Sequence, residues 1–99
     1  MVRHIVMWNF KEGFTPEENA ANAKKIKAEL EALTATIPGI VSLHVYIDPV
    51  GKSNRDIVLN SLFESEEALA NYVDHPDHVR AGGFVHAATD NRACIDYVE

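Results

Sequence analysis

The chain has one cysteine, four prolines, five glycines, few aromatic residues (8%) and no cluster of Lys or Arg in its 99 positions. Each scarcity closes a class of function. Cys94 stands alone, so no internal disulfide can form. Lys and Arg number 9 against 15 Asp and Glu, a formal net charge of -6. Nucleic acid and anionic membrane are therefore not expected partners, since both require cationic side chains to neutralise phosphate. The opening MVRHIVMW meets Lys11 and Glu12 too early for a signal-peptide apolar region or a transmembrane helix, and the cytosol is the expected compartment. No repeat, low-complexity tract or linker interrupts the chain. What remains is ordinary for a soluble globular protein, 46% hydrophobic and 24% charged, and residues 1–99 read as one domain. A core of this size gains from association with a second copy.

Val2 to Phe10 reads as a strand, with His4, Val6, Trp8 and Phe10 on one face and Arg3, Ile5, Met7 and Asn9 on the other. Thr15-Pro16-Glu17-Glu18 is a capping box with proline at the first helical position. The helix it starts carries Ala23, Ile26, Leu30, Leu33 and Ile37 as one apolar stripe, and Pro38 and Gly39 end it near Thr36. Val41, Leu43, Val45 and Ile47 then alternate with polar neighbours, as do Ile57, Leu59, Ser61 and Phe63, giving two more strands. Ser65 caps a second helix, with Glu66 and Glu67 in its first turn and Leu69, Tyr72 and Val73 inward. Pro76 interrupts it and starts a further helical segment with His75 at its N-cap, which Gly82 and Gly83 are expected to break. Ala93 to Val98 alternates as a closing strand.

This order in this length predicts an α+β, ferredoxin-like β-α-β-β-α-β fold with a four-stranded antiparallel sheet and helices on one face. The other face should be polar in a monomer, yet it still includes Ile5 and Met7 together with Val58 and Leu62. That pattern predicts a homodimer in which two sheets pack face to face.

Titratable groups concentrate in Asn71 to Val79, NYVDHPDHV. A histidine can take a proton near neutral pH and a tyrosine hydroxyl can polarise a carbonyl. On one continuous helix, Tyr72 and His78 would lie on different sides, because their spacing is not a multiple of the roughly 3.6-residue turn. The break at Pro76 is what can turn both towards one cavity. Without catalysis, Tyr72 is an inward helix residue and His75 to His78 a capped turn. His75 and His78 also have metal-ligand spacing, but a third ligand is missing, and no metal or other cofactor is expected. His44, His86 and Cys94 have no supporting constellation.

HIVMWNFKEG, IPGI, DIVLNSLFESEEAL, YVDHPDHV and IDY together resemble the stress-responsive dimeric A/B barrel (Dabb) family across nearly the whole chain. The resemblance implies the dimeric ferredoxin-like barrel already reached. Its plant polyketide cyclases, of the olivetolic acid cyclase type, close a linear polyketide by aldol condensation without a cofactor. The likeness to them implies catalytic roles for Tyr72, His78 and His4, and an apolar cavity wall of Val6, Trp8, Leu43, Leu59 and Phe84. The chain departs from them at Ile57, where they carry another histidine, and at Trp8, where they carry a smaller aliphatic residue. Some relatives hold magnesium by backbone carbonyls at positions matching Thr34, Ile37 and Ile40, and others are cofactor-free monooxygenases. Three readings follow: a homodimer binding a small apolar or aromatic molecule, a cofactor-free acid/base enzyme, and a structural protein with a filled cavity.

Overall fold

Thr15 sets the start of the first helix. Its hydroxyl accepts the Glu18 N–H at 3.1 Å while the Glu18 carboxylate accepts the Thr15 N–H at 2.9 Å, which satisfies two backbone donors that helix geometry leaves free. In the computed structural model, which describes residues 1–99, this helix α1 runs Pro16–Glu31 and tightens into a 3-10 turn over Ala32–Ala35. Ala23, Ile26, Leu30 and Leu33 are its buried stripe, with Ile37 buried just beyond. The remaining elements are β1 (Val2–Phe10), β2 (Ile40–Tyr46), β3 (Ile57–Phe63), α2 (Glu66–Asp74), α3 (Pro76–Ala88) and β4 (Thr89–Val98). The strands pair antiparallel in the order β2-β3-β1-β4. This is the α+β ferredoxin-like fold expected from the sequence. No helix is long and apolar enough to cross a membrane.

The strand register lays the helix-facing side chains out in rows. Val45, Leu59, Val6 and Cys94 form one row, and Leu43, Ser61, His4 and Asp96 the next. Along both rows the residues on β2, β3 and β1 are buried, whereas Cys94 and Asp96 on β4 are exposed. The buried Ser61 hydroxyl donates to the His4 carbonyl at 2.8 Å, so its burial leaves no donor unpaired. At the β2 edge, Glu31 accepts the Val45 N–H at 3.0 Å and Lys27 donates to the Val45 carbonyl at 2.6 Å. Burial works to raise the Glu31 pKa, but the Val45 N–H and Lys27 outweigh it and hold the carboxyl below its ordinary value. The charged pair thus blocks part of an edge strand.

On the opposite face, Tyr46, Val58, Met7 and Ala93 form one row, and His44, Asn60, Ile5 and Ile95 another. Tyr46, Ile95 and Tyr97 are about half exposed there (56%, 57% and 44%). No element of the chain covers them.

Four local expectations are corrected. Val41 is the extra residue of a bulge between Ile40 and Ser42 and lies exposed, so it does not share the inward face of Leu43 and Val45,. Val73 is exposed rather than inward. Gly82 and Gly83 do not break α3, which runs on to Ala88 because Ala81, Val85 and Ala88 bury a continuous stripe. Two glycines cost such a helix only about 1 kcal/mol each. Finally, β4 begins at Thr89, where the polar Thr89 and Asp90 pair with Phe10 and Asn9 at the end of β1; an edge strand need not be apolar to be held by backbone hydrogen bonds.

Candidate functional site

The break at Pro76 is short and fully capped. The His75 ring accepts the Asp77 N–H at 3.1 Å, and the His78 Nδ1 meets the Val73 carbonyl at 3.0 Å across the junction of α2 and α3. Because a carbonyl can only accept, Nδ1 of His78 carries the hydrogen, and the neutral ring keeps its lone pair on Nε2. His75 spends its Nδ1 lone pair on the Asp77 N–H, so in its neutral form Nε2 carries the hydrogen, and His78 Nε2 is left as the one free imidazole lone pair of the NYVDHPDHV stretch,. The turn brings the Tyr72 and His78 rings to 4.3 Å between centroids.

Tyr72 is 1% exposed and packs on Phe63 at 4.9 Å and on His4 at 6.2 Å between centroids. Its hydroxyl has no hydrogen-bond partner. Burial pushes the phenol pKa far above its ordinary value, so the group is a donor and not a phenolate across the whole working range of pH. Burial also lowers the His78 pKa, helped by the nearby charges of His4 and Arg92 and opposed by the Val73 carbonyl. His78 is accordingly neutral at pH 7 and available as a base.

These groups border a cavity of about 290 Å³. Its wall includes His4, Val6 and Trp8 from β1, Leu30 from α1, Leu59 from β3, Tyr72 from α2, and His78, Gly82, Val85 and His86 from α3. Thr89, Asp90 and Arg92 complete it where α3 passes into β4. A bulge shapes that junction: Asn91 and Arg92 together face the single Trp8, and Asn91 adopts a left-handed φ of 53°, a conformation asparagine tolerates better than most residues.

Of the residues expected from the sequence, His4, Tyr72, His78, Val6, Trp8 and Leu59 meet around this cavity. Leu43 and Phe84 do not. Leu43 is buried in the core on β2, and Phe84 is half-buried with the Lys25 ammonium 4.2 Å from its ring centre. Thr34, Ile37 and Ile40 flank the turn before β2, away from the cavity lining, so a cation held by their carbonyls would take no part in its chemistry. Sequence reasoning missed Gly82, Val85, His86 and Thr89, although they recur at three- and four-residue steps from His78. Breaking the helix at Gly82 hid that stripe.

His4 is 5% exposed and contacts the Asp96 carboxylate through Nδ1. Cys94 Sγ is 3.9 Å from the same nitrogen and 3.8 Å from Asp96 Oδ1. Burial and the Asp96 charge raise the Cys94 thiol pKa above its ordinary value, against a smaller opposing pull from Arg92.

The family model for the stress responsive A/B barrel domain matches residues 2–99. The chain belongs to the Dabb family. Among its curated Dabb relatives is the stress-response A/B barrel domain-containing protein HS1 of Arabidopsis thaliana, 28% identical over 109 residues that cover 97% of this chain and 87% of the relative. Among solved structures, a dimeric protein of unknown function with a ferredoxin-like fold from Bacteroides fragilis superposes with a TM-score of 0.89 at 31% identity, covering 97% of this chain and 93% of that one. Hydroxynitrile lyase from Passiflora edulis shares the fold, with a TM-score of 0.81 at 17% identity over 99% of this chain and 92% of that one. The Dabb fold thus hosts dimers of unknown function beside an enzyme, and the residues of the site must decide for this chain.

Proposed function

We propose that the cavity binds a small, largely apolar organic molecule through a carbonyl oxygen, in a homodimer that covers the outer face of the sheet. One observation carries the reading: Tyr72 lines the cavity, and its buried hydroxyl has no partner. Leaving such a hydroxyl unpaired costs about 1–3 kcal/mol, and a ligand oxygen that accepts from it removes the cost. Val6, Trp8, Leu30, Leu59 and Val85 offer the apolar body of the ligand its surroundings. The volume is at the small end of ligand pockets, which start at about 300 Å³, and suits a single substituted ring or a short branched chain. An open cavity also argues against a structural protein with a filled interior. The Bacteroides fragilis relative is dimeric, and the exposed Tyr46, Ile95 and Tyr97 of this chain fit the same arrangement.

A second reading, cofactor-free acid/base catalysis, is favoured by the neutral His78 beside Tyr72. With a carbonyl oxygen on the Tyr72 hydroxyl, His78 Nε2 takes a proton from the adjacent carbon, and the electron pair of that C–H bond moves into an enolate held by Tyr72. His4, fixed by Asp96, supports the ligand. This is the chemistry implied by the likeness to polyketide cyclases at Tyr72, His78 and His4. No particular residue favours the monooxygenase alternative.

The test is calorimetric binding and turnover of a panel of β-diketones and phenols by wild type, Tyr72→Phe and His78→Ala. Binding by wild type that weakens about tenfold in Tyr72→Phe is expected, since a hydrogen bond of this kind contributes about 1 kcal/mol or somewhat more. Loss of turnover in His78→Ala with smaller change in affinity supports catalysis, and binding without turnover leaves the first reading alone. Failure of every carbonyl compound to bind contradicts both. For the dimer, light scattering that gives a stable monomer at micromolar concentration is the contrary result.

A further inference from the structure

We propose that His4, Cys94 and Asp96 form a site for a zinc-class divalent cation at the open edge of the sheet. Cys94 and Asp96 are two apart on β4 and point to the same face. Asp96 is also the register partner of His4 on β1. The potential ligand atoms all lie within 4.8 Å of one another. A tetrahedral cation with bonds of ~2.0–2.3 Å holds its ligand atoms roughly 3.2–3.7 Å apart. Cys94 Sγ, at 3.9 Å from His4 Nδ1 and 3.8 Å from Asp96 Oδ1, needs to move only slightly to meet that spacing. The His4–Asp96 pair is closer, joined by a proton where the cation would sit. The Asp96 side chain is 44% exposed on an edge strand and has room to draw back.

The donor set selects the metal. Imidazole, thiolate and carboxylate together suit zinc, whereas magnesium and calcium take oxygen ligands. The thiolate and the carboxylate balance the two positive charges, so the occupied site is neutral. His4 is the preorganised member. Its ring is buried, sits on a central strand and packs edge-on against Phe63 and Tyr72 at 6.1 and 6.2 Å between centroids. Three protein ligands leave a fourth position for water, as in zinc sites that are not closed. The inference does not rest on the carbonyl reading, since it uses neither the Tyr72 hydroxyl nor His78 and its test needs no organic ligand.

The experiment titrates the full chain, reduced and freed of metal by a chelator, with Co²⁺, followed by competition with Zn²⁺. One Co²⁺ per chain is expected, with a thiolate-to-cobalt charge-transfer band in the near ultraviolet that Zn²⁺ abolishes. The band should be absent in Cys94→Ser, and Asp96→Asn should bind about tenfold more weakly or worse. Cys94 and Asp96 are both exposed, and circular dichroism of the metal-free variants checks that the fold is kept. Co²⁺ binding without a charge-transfer band, binding unchanged in Cys94→Ser and Asp96→Asn, or no binding at all by wild type would each overturn the site.

Discussion

The two ends of one sheet face are built to opposite plans. At the β2 end, Leu43 and Val45 are 4% and 0% exposed, and Lys27 and Glu31 of α1 fasten the strand's outer backbone. At the β4 end, the same rows finish in Cys94 and Asp96, both exposed. Between the ends, His4 is buried with its Nδ1 on Asp96 of β4, and Tyr72 is buried with an unpartnered hydroxyl. A chain of 99 residues thereby keeps both a core and a cavity: the closed end supplies the packing, and the open end is free to hold polar groups in set positions. Stability and chemistry should therefore separate when the two ends are altered one at a time.

The largest effect is expected from the closed end. Leu43→Ala should cost about 2–5 kcal/mol in urea unfolding, while Cys94→Ser at the open end should stay within about 0.5 kcal/mol of wild type. Equal losses would break the comparison. Next comes Gly39→Ala, just before β2. Gly39 has a φ of +92°, and an added Cβ would stand 2.7 Å from the Ala68 Cβ, so a loss of about 1–3 kcal/mol is expected from backbone strain and overlap together. A thermal unfolding midpoint equal to wild type would show that α2 does not press on this turn.

Smaller and opposite in sign are the glycines of α3. Neither Gly82 nor Gly83 has any atom within 4 Å of an added Cβ, and both lie inside a helix. Each change to alanine should stabilise by roughly 0.5–1 kcal/mol. Gly82 borders the cavity and Gly83 does not. Gly82→Ala should therefore also weaken ligand binding, and Gly83→Ala should leave it alone; the same affinity in both variants would remove Gly82 from the site.

Much of this was legible in the residues themselves. The Thr15 capping box, the Ala23 to Leu33 stripe, the alternation around Leu59 and the break at Pro76 are local signals, and local structure obeys them. The run of α3 through Gly82 and Gly83 was not legible, because tertiary burial of Val85 and Ala88 overrides a weak local preference. The bulge that exposes Val41 leaves no mark in a pattern of alternating residues. Tyr72 and His78 could be suspected from the proline between them, but Arg92 and Asp90 reach the cavity only through the bulge opposite Trp8. The cluster of His4, Cys94 and Asp96 joins residues at opposite ends of the chain, so only the strand register brings it into view.

The smallest effect expected is the pH dependence of His78. Its folded pKa lies below the ordinary imidazole value, so the unfolded chain takes up the proton first as pH falls. Its contribution to stability is complete above pH about 6.5 and is lost as pH drops through the lowered folded value. Denaturant unfolding of wild type should weaken more between pH 7.5 and 5 than that of His78→Gln. The same slope in both proteins would mean that His78 is not held neutral by its surroundings.

In the proposed function, the open end presents an unpaired Tyr72 hydroxyl to a ligand carbonyl. The infrared carbonyl stretch of an isotope-labelled aromatic ketone, recorded bound to wild type and to Tyr72→Phe, tests it most directly. A band shifted to lower frequency is expected in wild type, with the shift lost and the affinity reduced in Tyr72→Phe. An identical band and affinity in the two proteins would contradict it.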